Sequence, residues 1–149
     1  MSILQKIDTD YIEAYKAHNE LCVSVLRLLK SALKNLAIAS GKELIDKDVI
    51  RVIRREIKQR EEAANQYKKA GRIELAQKEE DEVRILTNYL PVPLSREELS
   101  ALIAETASTG QIDHPGRLTG AVIAKAQGRA ESALIAKLAA EFFENKNKG

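Results

Sequence analysis

The chain is 149 residues long, with 44% hydrophobic residues, 31% charged residues and a formal net charge of +2. That balance excludes an intrinsically disordered chain, which lacks apolar content and carries a large net charge. Seven glycines, three prolines, one cysteine and 4% aromatics also exclude a collagen-like repeat, a disulfide scaffold and a turn-rich β-sandwich.

What remains is an all-α fold. A first helix is expected from about Ile3 to Tyr15, with Ile3, Ile7, Tyr11 and Tyr15 at i,i+4 spacing. Asn19 is positioned to cap a second helix. Its stripe of Cys22, Val25, Leu26, Leu29, Leu33 and Leu36 has the 3.6-residue period. Ser40-Gly41 ends it. Asp46 is the expected N-cap of a third helix reaching about Lys69, with Ile50, Ile53, Ile57, Ala64 and Tyr67 as its buried stripe. Ala70-Gly71 closes that helix. A fourth follows at once, with Leu75, Val83, Leu86 and Leu90 on one side, as in an antiparallel hairpin.

Pro91-Val92-Pro93 marks a domain joint, because proline cannot continue a helix. Ser95 to Glu98 reads S-x-x-E, a capping box that opens a helix carrying Leu99, Leu102 and Ile103. Gly110 ends it. His114-Pro115-Gly116 opens a short helix with Leu118, Ala121 and Val122, which Gly128 closes. The last helix runs from about Glu131 to Asn145, with Leu134, Ile135, Leu138 and Phe142 inward, and Lys146 to Gly149 are expected to fray. The expected organisation is a long-helix domain over 1–90 and a small three-helix domain over 94–149.

No segment has the apolar run of a signal peptide or a membrane span, so the expected location is the cytoplasm. Charge is concentrated on faces. Lys47, Arg51, Arg54, Arg55 and Lys58 share one side of the third helix, and Arg27, Lys30 and Lys34 recur at i, i+3, i+7 on the second. Glu74 and Glu79 to Glu82 make the fourth helix acidic. Either the acidic and basic helices pair with each other, or the basic faces bind phosphates. With so few aromatics to stack on bases, the second alternative points to structured RNA held through backbone and shape.

Chemistry-bearing motifs are missing. The chain has no Walker-type or dinucleotide-binding glycine loop, no H-E-x-x-H and no C-x-x-C. No catalytic residue, metal site or cofactor is therefore expected. His18 and Cys22 stand at i,i+4, but Cys22 lies on the apolar stripe, where thiols are inert. His114 reads as a turn residue. The carboxylates Glu79 to Glu82 lack an apolar setting that would raise a pKa.

Several stretches in order resemble the YqeY family. They are Leu26 to Asn35, Gly41 to Leu44, Ile57 to Arg60, Tyr67 to Arg72, Lys78-Glu79, Tyr89-Leu90-Pro91 and Gly128-Arg129-Ala130. The chain departs from the family's usual pattern at Pro115 to Gly120 and at Glu131-Ser132. The family is related to the tail domain of the GatB component of the glutamyl/aspartyl-tRNA amidotransferase. The resemblance implies a two-part helical fold and a link to tRNA. The expected function is a non-catalytic tRNA-binding accessory protein, with Arg27, Lys34, Arg54, Lys58, Arg117 and Arg129 as contacts. The alternatives are a tRNA amino-acid amidase or glutamine-dependent carbon–nitrogen ligase activity, or a helical protein-interaction module with a protein partner.

Overall fold

The computed structural model describes residues 1–110 and 112–148, and the described residues are helical with connecting turns and no strand. Helix α1 spans Ile3–Lys16. The Ser2 hydroxyl accepts from the Gln5 amide at 3.1 Å, and the Gln5 side chain accepts from the Ser2 amide at 2.9 Å. Two amides that the helix itself leaves unpaired are thereby satisfied.

The corner into α2 (Glu20–Ser40) is tight. His18 adopts a left-handed φ of 58°, and the Asn19 amide reaches back to the Ala14 carbonyl at 3.0 Å. The Asn19 side chain then accepts from the Cys22 amide at 3.2 Å, as its position ahead of the apolar stripe implied. A β-carbon in the left-handed region is strained, and glycine relieves that strain. His18→Gly is expected to stabilise the fold by about 0.5–1 kcal/mol, part of the relief being offset by a more flexible unfolded chain. Urea denaturation measures this; a lowered midpoint would show that the His18 side chain is needed.

Helix α2 ends on Gly41, whose φ is 68°. Helix α3 spans Asp46–Lys69, with Ile45 and not Asp46 at its N-cap position. Asp48 accepts from the Ile45 amide at 3.1 Å. Asp46 caps a different helix: its carboxylate accepts from the Ile3 amide of α1 at 3.0 Å. The buried face of α3 also differs from expectation. Val49, Val52, Ile53, Arg60 and Ala64 are buried, whereas Ile50, Ile57 and Tyr67 are only half-buried. The isoleucines flank the stripe, and the valines and Arg60 occupy its centre.

Gly71, at φ 74°, turns the chain into α4 (Ile73–Thr87). Helices α3 and α4 are the most extensively packed pair. Leu86 is buried as expected, together with Ala76, but Leu75 is 40% exposed and Val83 half-buried. All four helices contribute to one core, through Ile7, Val25, Leu26, Leu29, Leu33, Val49, Val52, Ile53 and Leu86, with Tyr89 beside them.

Residues Met1–Leu90 form one unit and Pro91–Gly149 a second. The second holds α5 (Arg96–Thr109), α6 (Pro115–Ala126) and α7 (Ser132–Lys148). Ser95 and Glu98 make the reciprocal cap that opens α5. The His114 imidazole accepts from the Gly116 amide at 3.1 Å, with Pro115 in the first turn of α6. Gln127 and Gly128 both take left-handed φ values, 51° and 78°, so the close of α6 rests on two residues and not on Gly128 alone. Helix α7 extends to Lys148, past the expected fraying point; Gly149 lies outside the described residues. Leu99, Ile103, Leu118, Val122, Ala126, Ile135, Leu138 and Ala139 form the core of this unit. Leu134 does not join it and is 45% exposed.

Candidate functional site

Residues 21–42 carry four cations and no carboxylate. Three of these cations are spaced so that α2 presents them on one side. They border a groove of about 710 Å³ between α1 and α2, lined also by Glu43 and Leu44. Arg27, Lys30 and Lys34 all line it, with Tyr11 and Asp8 from α1. The Lys30 ammonium lies 3.3 Å from the Asp8 carboxylate and 4.6 Å from the centre of the Tyr11 ring. An Arg27 guanidinium nitrogen stands 3.5 Å from the Tyr11 hydroxyl. Tyr11 therefore braces two of the three cations. Lys34 is exposed, and among the described residues it has no ion pair.

The basic face of α3 lies outside this groove. Lys47, Arg51, Arg55 and Lys58 are exposed and make no ion pair among the described residues, and Arg54 is half-buried. At about 100° per residue these five side chains occupy roughly a quarter to a third of the helix circumference, opposite the buried stripe. Helix α4 does meet α3 with acidic groups, but further along. Glu80 pairs with Lys68, and Glu82 pairs with Arg60.

Arg60 has a role that its sequence context did not announce. Its side chain is only 10% exposed. One guanidinium nitrogen lies 2.7 Å from the Glu56 carboxylate and also reaches the Glu56 carbonyl, while Nε lies 3.1 Å from Glu82. A signal was nevertheless present: Arg60 falls in the period Val49, Ile53, Ala64, four residues after a glutamate.

Glu79 belongs to the same surface, and it corrects the expectation for the α4 carboxylates. Burial, then the charge of Glu82, raise its pKa above the usual carboxylate range, helped by a hydrogen bond with Glu82 and opposed by Arg60 and Lys78. A raised folded-state pKa means that the folded protein holds this proton more tightly than the unfolded chain. The charged form thus opposes folding at neutral pH, and the penalty fades as pH falls through the raised value into the ordinary range. Glu79→Gln is expected to add less than about 1 kcal/mol at pH 7, the group being partly solvated, and nothing near pH 4. Urea midpoints at the two pH values check this, and an equal gain at both contradicts it.

A second polar contact lies under α1. The Tyr89 hydroxyl donates to Asp10 at 2.6 Å, and Lys6 lies over the Tyr89 ring. Burial, this bond and the Asp10 charge push the Tyr89 pKa up, so it stays neutral. Burial and Asp10 also push the Cys22 thiol up, the direction of an unreactive cysteine. His18 precedes the Asn19 cap, so it does not share the face of α2 that carries Cys22. Among the described residues no group of three or more histidines, cysteines or carboxylates is arranged to hold a metal ion.

In the second unit, the exposed Arg117 lies 3.7 Å from Asp113. Arg129 is committed to local structure. Its Nε donates to the Val92 carbonyl at 2.8 Å, its own carbonyl accepts from the Leu94 amide at 2.8 Å, and Glu98 lies 3.8 Å away. A β-carbon on Gly116 would come within 2.9 Å of the His114 ring, whereas one on Gly120 would meet nothing within 4 Å. The structure thus brings Arg27 and Lys34 to one groove, puts Arg54 and Lys58 on α3, and holds Arg117 and Arg129 in the second unit. No helix among the described residues is long and apolar enough to cross a membrane.

Similarity to known proteins extends over most of the chain. A family model described as "Yqey-like protein" matches residues 4–142. An uncharacterised protein from Schizosaccharomyces pombe is 32% identical over 80 residues, which cover 54% of this chain and 65% of the yeast protein. The match therefore spans less than two thirds of that relative's length.

Proposed function

Starting from the premise that this chain belongs to the YqeY-like family, we propose that it is a non-catalytic protein that docks on folded tRNA. The observation that carries this reading is the concentration of unneutralised cations on α2 and α3. Lys34, Lys47, Arg51, Arg55 and Lys58 are exposed and without ion pairs among the described residues. The cations of such a surface displace counterions condensed on RNA phosphates, and the release of those ions drives binding. A helix face that reads backbone and shape needs no stacking aromatics, in keeping with an aromatic content of 4%.

Arg27, Lys34, Arg54 and Lys58 form the primary surface in this reading, and Arg117 and Arg129 a secondary one. The secondary surface is the weaker, because the second unit carries seven cations against seven carboxylates and Arg129 already bonds to Val92.

Filter binding of bulk tRNA across a salt series tests the proposal. Affinity is expected to fall steeply with salt, and Lys34→Glu with Lys58→Glu to weaken binding by about tenfold or more while making the slope shallower by about one per lost phosphate contact. Affinity at low salt no better than that of a neutral control protein defeats the proposal, as does an unchanged double variant.

A further inference from the structure

We infer that the groove between α1 and α2 is a pocket for a single nucleoside phosphate unit, such as the terminal or an unpaired residue of an RNA chain. The inference deepens the RNA-binding reading and rests on it for the source of the ligand. Docking on a phosphate backbone explains Arg27, Lys30 and Lys34, but it does not explain the rest of the groove.

Two carboxylates, Asp8 and Glu43, line the same cavity, and both repel a bare polyanion. Its apolar surface comes mainly from Leu4, Ala37 and Leu44, over the buried Leu33, and a phosphate backbone cannot use it. A nucleotide uses all three features. Its phosphate meets the cations, the faces of its base cover aliphatic surface, and its exocyclic amino group donates to a carboxylate. The volume of about 710 Å³ fits the range of about 300–1,000 Å³ typical of small-ligand pockets.

The arrangement is also preorganised. Tyr11 holds Lys30 against its ring and Arg27 at its hydroxyl, so two cations are fixed before a ligand arrives. Lys34 stands two turns along the same side of α2 from Arg27 and lacks an ion pair among the described residues, which leaves its ammonium for the phosphate. Lys30 engages Asp8, and the exposed Glu43 is the carboxylate open to a base. The pocket should therefore favour bases that present an amino group, with UMP the weakest mononucleotide.

Calorimetric titration of the full chain with AMP, CMP, GMP, UMP, adenosine and inorganic phosphate tests this. AMP is expected to bind at least about tenfold more tightly than adenosine or phosphate alone, since it engages both halves of the pocket. Lys34→Glu should weaken AMP by about tenfold, and Lys125→Glu, an exposed charge reversal in the second unit, should not. Glu43→Ala should bring UMP level with the others. Circular dichroism melts establish that each variant is folded.

Phosphate binding as tightly as AMP overturns the proposal in favour of a plain anion site. No AMP binding by a protein that still binds tRNA overturns the pocket and leaves backbone docking standing. AMP binding that depends on Lys34, in a protein that ignores tRNA, supports the pocket and makes free nucleotide its source.

Discussion

Arg60→Met is expected to destabilise the first unit by about 3–5 kcal/mol, the usual cost of removing one partner from a buried ion pair. The loss has little to do with the packing of methionine, which suits an irregular apolar site. It comes from Glu56 and Glu82, whose side chains are 16% and 13% exposed and which share the one guanidinium. Without it, two carboxylates face each other with Glu79 nearby, and neither is solvated well enough to remain charged cheaply. The defect should shrink as pH falls and the carboxylates take up protons. It should also be largely repaired by adding Glu56→Leu and Glu82→Leu, since a well-packed apolar replacement of a buried ion cluster is often neutral or better. Urea unfolding at neutral and mildly acidic pH separates these effects. A loss below about 1 kcal/mol, the scale of a surface pair, would mean that water reaches the cluster and the burial argument is wrong.

Leu118→Ala should be as damaging, but to the other unit. Leu118 is fully buried and packs among residues from all three helices of that unit. Truncating a fully buried leucine costs about 2.7–5 kcal/mol, depending on how far the cavity collapses. A unit as short as Pro91–Gly149 is close to the size at which a lone core is marginal, so this loss is most of its stability. Hydrogen exchange followed residue by residue is the decisive measurement. Amides of α5, α6 and α7 should lose protection while those of α2 and α3 retain it. Uniform loss of protection along the chain would show one cooperative structure, and undiminished protection in α6 would show that the cavity closes at little cost.

Much of the fold was legible because its punctuation is chemical. Asn19, Gly41, Gly71 and Ser95 stand where helices begin or end, and each acts through a local rule about capping or positive φ, whereas Gly110 ends α5 in an extended conformation. Where the outcome depended on a partner far along the chain, local rules failed. Asp46 looks like a cap for its own helix, and only the approach of α1 gives it the Ile3 amide instead. Ile50 and Ile57 outrank Arg60 on any hydrophobicity scale, yet Glu82, on the next helix, makes burial of the arginine favourable. The spacing of Arg27 and Lys34 was visible as a charged side of α2. The groove beside them was not, because part of its wall belongs to α1 and part to the Glu43-Leu44 connection.

The hydrogen bond between Asp10 and Tyr89 joins residues 79 positions apart, and this sets an order of events during synthesis. Helix α1 is made before Tyr89 and can make this contact only after that residue has been translated and has left the ribosome. At a bacterial or eukaryotic rate of about 5–20 residues per second, the wait is about 4–16 s. Over that interval Asp10 and Lys6 of α1 stay without the Tyr89 side chain that they meet in the folded protein. Helix α1 is therefore open to chaperones until Tyr89 emerges, and folding of the first unit is completed only with its last residues.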